Sequence, residues 1–368
     1  MAEEKKVRIL SLDGGGIRGI IPATVVQYIE EQIKIKTKNE NARVADYFDL
    51  VIGTSTGGLL TCFYLKPNPN AGKDQPTTEY PASKALEVYT DEGYQIFNKS
   101  KHFAWVGLRQ LWNATQFNPS YMEKTLQRYF KDTDGKDMML DKMVKPCTVT
   151  TYNMNTKSSL FLRSIDKNRK GDPRIYKVWE ALRSTSAAPT YFPPAEIYNY
   201  AKPVTEENKL YNLDGGVFAN NPTICAYAEA RNMNFPDRGV EQPTASQMLI
   251  LSIGTGGGNF ALTPYQKSSK WSVVKWAKSI PNIMMDGSID TTDYQLKQIY
   301  HTLNKEHHDS YLRVDVPMKD RKIYAADMAD ASDENVENLK KAGQKTVDAY
   351  KKHLDRFIDR ILGEDKKD

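Results

Sequence analysis

The sequence VRILSLDGGGIRG at residues 7–19 places a short apolar run directly before a glycine loop. Residues 20–35 follow with the apolar spacing of a helix. A second unit of the same kind is FDLVIGTSTGG at residues 48–58, where an apolar run passes through glycine into a helix predicted to end at residue 65. Two successive strand–loop–helix units predict a parallel sheet covered by helices.

The rest of the chain predicts further elements of both kinds. We expect helices at residues 82–97, 119–130, 176–187 and 333–362, and strands at residues 147–152, 159–164, 210–213 and 248–253. The 368 residues are 40% hydrophobic, so the chain can bury a large core without disulfides or metal. Because the segments that carry chemistry are scattered from residue 13 to residue 258, we expect one large domain.

Charge, cysteine content and hydropathy exclude several classes of function. The 51 Lys and Arg and 46 Asp and Glu residues leave a net charge of +5, spread along the chain, so nothing indicates binding of a nucleic acid polymer. An odd count of three cysteines fits a reducing compartment. The N-terminus lacks the apolar stretch of a signal peptide, and no run approaches the roughly 20 apolar residues that span a bilayer. We therefore expect a soluble cytoplasmic protein that touches membranes only peripherally.

Gly53-Thr54-Ser55-Thr56-Gly57 is a G-x-S-x-G sequence between a strand and a helix, which is the context of a nucleophile elbow. Flanking glycines relieve crowding at a sharp turn, and the helix N-terminus favours negative charge that develops nearby. An ordinary glycine-rich turn is the alternative. In this context the motif favours Ser55 as a catalytic nucleophile.

The glycine loop at residues 13–19 also follows a strand and opens a helix, so its N–H groups can point at an anion. In acyl transfer that anion is the tetrahedral oxyanion, and one donor can lower the barrier by about 3 kcal/mol. The same loop matches G-x-G-x-x-G from Gly14 through Gly16 to Gly19, the dinucleotide-binding fingerprint. That alternative needs an acidic residue ending a second strand, whereas residues 30–40 are helical and then polar in pattern.

The base that would activate this serine is less obvious from the sequence. Asp214 ends an apolar run and precedes two glycines, although a turn is the commonest role of Asp-Gly. A triad in the order Ser…Asp…His needs a histidine in a loop after the acid. The histidines that follow the acid lie in polar or helical segments: His301, His307, His308 and His353. The fifth histidine, His102, precedes the acid. This shortage favours a Ser-Asp pair, in which an aspartate of ordinary pKa, about 3.9, is a weak base.

Four blocks of the sequence resemble the patatins and their bacterial patatin-like phospholipase relatives. In the family's order they are SLDGGGIRG, GTSTGG, STSAAPTYFPP at 184–194 and LDGGVFANNP at 213–222. The resemblance implies a three-layer αβα sandwich around a mostly parallel sheet. It implies a catalytic domain at residues 7–258, with residues 259–368 as a C-terminal helical part of the same globule.

The resemblance also implies which residues act. Ser55 would be the nucleophile and Asp214 the general base, and the loop of Gly14, Gly15 and Gly16 would form the oxyanion hole with help from Arg18. The implied activity is hydrolysis of fatty-acyl esters of lipids, as in a phospholipase A, lysophospholipase or galactolipase. The reaction would pass through an acyl-enzyme and need no metal or organic cofactor.

Two other functions remain open from the sequence. One is a small-molecule carboxylesterase that uses a Ser-His-Asp triad, and the other is a storage or signal-responsive protein with incidental hydrolase activity. A lipid with a fatty-acyl ester is the expected partner, and the sequence leaves the oligomeric state open.

A segment near the C-terminal third indicates contact with lipid. On a helix over residues 271–280, one face would carry Val273, Trp276, Ala277 and Ile280, and the opposite face would carry Lys275 and Lys278. This pattern is typical of a helix at a membrane interface, but it also fits a helix packed on the core. The glycines of residues 254–258 can line the site or form an ordinary turn after a strand.

Overall fold

The computed structural model describes residues 5–72, 77–97, 115–165, 173–257 and 271–365. Its strands are β1 (Val7–Leu12), β2 (Leu50–Thr54), β3 (Cys147–Asn153), β4 (Ser158–Arg163), β5 (Ala195–Tyr198), β6 (Lys209–Asp214), β7 (Asn234–Phe235), β8 (Val240–Glu241), β9 (Met248–Ile253) and β10 (Tyr311–Val314). Its helices are α1 (Ile20–Thr37), α2 (Thr56–Leu65), α3 (Ala82–Ile96), α4 (Ser120–Tyr129), α5 (Val178–Thr185), α6 (Gly216–Ala219), α7 (Thr223–Ala230), α8 (Val273–His301) and α9 (Asp333–Asp365).

The central sheet is mixed and mostly parallel. Its strand order is β10-β9-β1-β2-β3-β6-β5, and β4 pairs with β3. Neighbouring strands from β10 to β3 are parallel, whereas β3 pairs antiparallel with β4 and β6, and β5 with β6. Strands β7 and β8 form a separate hairpin. The predicted α/β class with a mostly parallel sheet is confirmed.

Two cores lie on opposite faces of this sheet and give the three layers of the sandwich. Leu10 and Leu12 of β1 belong to the core that α1, α2 and α9 cover. Val7 and Ile9, which point to the other face, belong to the core that α7 and α8 cover. Because both faces are covered, β1, β2 and β9 are buried along their whole length.

The C-terminal part of the chain is built into the same sheet. Strand β10 extends the sheet beside β9, and α9 packs against α1. The buried Arg8 side chain of β1 donates to the carbonyl of Ile361 in α9 at 2.8 Å. Residues 259–368 therefore contain the strand β10 as well as helices. The boundary between the two parts of the chain at residue 258 stays a prediction.

None of the described helices combines the length and hydrophobicity that a bilayer crossing requires. Helix α8 is 29 residues long and contains Pro281, and it covers the sheet from the side of α7. The side chains at 273–275, 277, 278 and 364–365 lie outside the described part of the structure.

Candidate active site

Two strands that end against β3 bring Ser55 and Asp214 together. Parallel strand β2 ends at Thr54, which pairs with Thr150. Antiparallel strand β6 ends at Asp214, which pairs with the next residue of β3, Thr151. Strand β4 pairs with one edge of β3 along these residues. Strands β2 and β6 therefore both pair with the other edge of β3, and their C-terminal ends meet there. Ser55 directly follows Thr54, so the register places it beside Asp214.

Ser55 occupies a sharp turn between β2 and α2. Its φ of 53° and ψ of −121° lie in a region that residues with a side chain rarely adopt. A Cβ at Gly53 would lie 2.1 Å from the Gly57 carbonyl oxygen, and one at Gly57 would lie 2.1 Å from that of Leu12. The Ser55 N–H donates to the Thr185 hydroxyl at 2.7 Å. The motif glycines and this hydrogen bond therefore hold Ser55 in the strained turn that the sequence predicted between β2 and α2.

Asp214 is buried, and two groups interact with its carboxylate. The Gly216 backbone N–H donates to it at 2.7 Å, and the Ser55 hydroxyl is close enough to the carboxylate to lower its pKa. Burial raises the pKa of Asp214 to about 7, although the hydrogen bonds from Gly216 and Ser55 lower it. The sequence suggested a weak base of ordinary pKa, whereas burial makes this carboxylate a much stronger base.

The orientation of the glycine loop is set by hydrogen bonds to two of its carbonyl groups. The Gly14 carbonyl accepts hydrogen bonds from Thr255 Oγ1 at 2.7 Å and Asn220 Nδ2 at 3.3 Å. The Gly15 carbonyl accepts one from Arg18 Nε at 3.2 Å. In a trans peptide the N–H of one residue points opposite to the carbonyl of the residue before it. The N–H groups of Gly15 and Gly16 therefore point away from Thr255, Asn220 and Arg18, which bind the carbonyls of Gly14 and Gly15.

The three predicted donors of this loop are not equivalent. The Gly14 N–H already donates to the Asn220 carbonyl at 2.9 Å. No described residue accepts a hydrogen bond from the Gly15 or Gly16 N–H, and Gly16 lines the same cavity as Ser55. Arg18 is buried and bonds to the loop itself. The structure thus places Gly15 and Gly16 where an anion can be bound, and Arg18 where it orients their peptide group.

A buried ion pair lies behind the loop and was not predicted. Arg313 of β10 donates to both carboxylate oxygens of Asp13, at 2.9 and 2.6 Å, and to Ser252 at 2.8 Å. Bidentate pairs of this kind fix geometry as well as charge. Asp13 directly precedes Gly14, so a strand from the C-terminal part of the chain holds the start of the glycine loop. No local pattern around Arg313 signals this role.

Other contacts that support the site were not predicted, but their residues belong to sequence segments already singled out above. Thr185 and Ala187 belong to the block at 184–194, and they bind the backbone of Ser55 and of Asp214 respectively. Asn220 belongs to the block at 213–222. Thr255 lies in the turn after β9, which therefore supports the glycine loop; Gly258 of that segment lies outside the described residues.

An apolar cavity begins at Ser55, and we call it the Ser55 cavity. Its wall includes side chains from α2, α3 and the segment after α5, among them Leu59, Phe63, Val88, Ile96 and Phe192. Nearly all of its lining groups are hydrocarbon. A chain of methylene groups can therefore be held next to the serine hydroxyl.

The described histidines lie elsewhere. His301, His308 and His353 line a different, polar cavity between α8, β10 and α9, and His307 contacts Glu306. His102 lies outside the described residues. Within the described ranges, no histidine lines the Ser55 cavity, and no group of three or more His, Cys, Asp or Glu side chains is arranged to hold a metal ion.

Comparison with known proteins places the chain in a family. Residues 10–227 match the family model described as patatin-like phospholipase. Patatin-1-Kuras 2 of Solanum tuberosum is 30% identical over 382 residues, 99% of this chain and 94% of the relative. Patatin-like protein 2 of Oryza sativa subsp. indica is 30% identical over 370 residues, 95% of this chain and 86% of the relative.

The crystal structure of VipD from Legionella pneumophila overlaps 95% of this chain and 68% of its own, with a TM-score of 0.35 and 11% identity. The family match and the two plant relatives show that the chain belongs to the patatin-like phospholipase family. This membership supports a hydrolase that acts on lipid esters.

Proposed function

We propose that this protein is a serine acyl hydrolase that cleaves fatty-acyl esters of lipids with Ser55 as nucleophile and Asp214 as general base. The observation that carries the proposal is the placement of the strained Ser55 beside the buried Asp214 carboxylate by the register of β2 and β6 on β3. A pKa of about 7 suits a general base that works near neutral pH. The phospholipase A, lysophospholipase and galactolipase types all share this chemistry.

The proposed reaction uses these groups in two steps. Asp214 takes the hydroxyl proton as Ser55 Oγ attacks the ester carbonyl carbon, and the Gly15 and Gly16 N–H groups bind the oxyanion that forms. The bond to the alcohol breaks, and Asp214 returns the proton to the alcohol oxygen. Water then attacks the acyl-enzyme in the same way and releases the fatty acid.

The setting of the site supports a lipid as substrate. The Ser55 cavity offers an acyl chain an apolar wall next to the nucleophile. The three cysteines are free thiols, which favours a reducing compartment, and we propose the cytoplasm as the location.

The experiment that tests the function measures fatty-acid release from vesicles of mixed phospholipid and galactolipid. We expect the purified protein to release fatty acid, and the remaining lipid products identify the preferred head group. Alanine variants at His301, His307, His308 and His353 should keep full activity, because none of the four lines the Ser55 cavity. Loss of activity in one of them would favour the triad esterase, and no release from any vesicle would exclude a lipid hydrolase.

The pH dependence of kcat/KM should report the ionisation of Asp214. Its pKa is raised to about 7, so the carboxylate form that accepts the serine proton dominates only above that pH. We expect kcat/KM to fall about tenfold per pH unit below 7 and to level off above it. A profile that stays flat down to pH 5 would contradict the assignment of the base.

Helix α8 presents an apolar surface that fits peripheral contact with a membrane. Trp276, Ile280, Ile283 and Met284 recur at helical spacing and are between 39% and 49% exposed. Of the face predicted from the sequence, Trp276 and Ile280 are exposed as expected, whereas the side chains of Val273 and Ala277 lie outside the described part.

Replacing both Trp276 and Ile283 with glutamate should weaken binding to phospholipid vesicles. Each apolar side chain withdrawn from the bilayer costs roughly 1.5–3 kcal/mol, so vesicle affinity should fall at least about tenfold in a sedimentation assay. Ile35→Glu on α1, which is 66% exposed, is the matched control and should bind as wild type. Equal binding by all three proteins would mean that α8 does not contact the membrane.

A further inference from the structure

A second apolar cavity begins on the other side of the proposed reaction centre, and we call it the Asp214 cavity. Its lining includes Asp214, Val217, Ile280, Met284 and Met285, and within the described residues neither Ser55 nor Gly16 contributes to it. The Ser55 cavity has the opposite composition, with Ser55 and Gly16 but not Asp214. Both cavities share Ala188 and Met328. Ser55 and Asp214, which lie next to each other, therefore face two different apolar cavities.

The proposed chemistry assigns one half of the ester to each cavity. The carbonyl oxygen must face the N–H groups of Gly15 and Gly16 while the carbonyl carbon lies at Ser55, so the acyl half belongs in the Ser55 cavity. The leaving alcohol oxygen must receive its proton from Asp214 within hydrogen-bond reach. The alcohol half of the substrate therefore lies at the Asp214 cavity.

The walls of the Asp214 cavity show what kind of alcohol fits there. Apart from the Asp214 carboxylate, its described lining consists of alanine, glycine, proline, valine, isoleucine and methionine. A polar head group in this space would lose its hydration without gaining partners, and burying one such group unpaired costs roughly 1–3 kcal/mol. A hydrocarbon chain suits it, and Met284, Met285 and Met328 can adjust to the chain because methionine is flexible.

We infer that the Asp214 cavity binds the retained acyl chain of a diacyl lipid, so that the enzyme prefers diacyl to monoacyl substrates. The inference rests on the proposed function. In acylation, the bond from Ser55 Oγ to the scissile acyl carbon forms, and the bond from that carbon to the glycerol oxygen breaks. The proton passes from Ser55 through Asp214 to the glycerol oxygen. The first product is then a monoacyl lipid whose remaining chain lies in the Asp214 cavity, and water later releases the fatty acid.

The cavity also has a route to the lipid surface. Ile280 and Met284 line it and are 45% and 49% exposed, so it opens on the apolar face of α8. Trp276 and Ile283 belong to the same face. The chain that enters this cavity can therefore leave a membrane without being exposed to water.

The test compares a diacyl and a monoacyl lipid that share head group and scissile chain. Dioleoyl phosphatidylcholine and oleoyl lysophosphatidylcholine are presented at equal mole fraction in the same detergent micelles, so that binding to the surface contributes equally. For the wild-type protein we expect a kcat/KM at least about tenfold higher for the diacyl lipid, which corresponds to roughly 1.4 kcal/mol of binding by the retained chain. A ratio of one or below overturns the inference.

Two variants place the preference in this cavity. Ile280→Trp fills it and Met284→Glu makes it polar, and each should lower the diacyl-to-monoacyl ratio about tenfold. Ile35→Trp is the surface control and should keep the wild-type ratio. Thermal melting checks that each variant folds, and an unchanged ratio in folded variants overturns the inference. No fatty-acid release from either lipid by the wild-type protein would instead contradict the proposed function.

Discussion

Ser55→Ala is expected to lower fatty-acid release by roughly 10⁴- to 10⁶-fold, because the acyl-enzyme cannot form without the hydroxyl. The remaining contacts of the turn do not depend on that hydroxyl, since the Ser55 N–H still donates to Thr185. The variant should therefore fold and bind vesicles as wild type. Fatty-acid release in a discontinuous assay measures the loss, and thermal melting confirms the fold.

Ser186→Ala is the matched control for this loss. Ser186 lines the same cavity as Ser55, and its buried hydroxyl has no hydrogen-bond partner among the described residues. We expect this variant to keep most of the wild-type activity. If Ser186→Ala lost activity while Ser55→Ala retained it, the nucleophile would be assigned to the wrong serine.

Asp214→Asn is expected to lower kcat by at least about 10³-fold while the protein unfolds at a higher temperature. The amide cannot take the serine proton, but its oxygen can still accept the Gly216 N–H, so the geometry survives. The folded protein holds the pKa of Asp214 near 7, above the usual 3.8. At neutral pH it must therefore hold a buried carboxylate that burial disfavours, and the neutral amide removes this cost.

The gain in Tm should depend on pH with a definite sign. Below pH 3.8 the carboxyl is protonated in the folded and the unfolded protein, so the substitution should change stability little there. Between pH 3.8 and about 7 the unfolded state loses its proton first, so the advantage of asparagine should grow. Above pH 7 the stability advantage of the asparagine variant should be constant. Retained activity, or a Tm gain that is the same at pH 3 and pH 8, would contradict this account of Asp214.

The sequence was sufficient wherever a few neighbouring residues decide the backbone. The predicted strands at residues 7–12, 147–152 and 159–164 and the turn at Ser55 are confirmed, since apolar runs, glycines and turn residues act over short distances. The terminal helix is confirmed for the same reason. Strands β5 and β10 were missed because both are only four residues long, and their pairing partners lie elsewhere in the chain.

The proposed site divides in the same way. Local sequence placed glycines around Ser55 and an aspartate at a strand end, because these features depend on adjacent residues. Only the tertiary structure brought Asp214 to Ser55, through the register of two strands on one edge of β3. Burial then raised the pKa of Asp214, Arg313 was placed behind the glycine loop, and α8 closed a second apolar cavity. Each of these depends on segments far apart in the chain, and solvent exclusion and charge pairing arise only when those segments pack together.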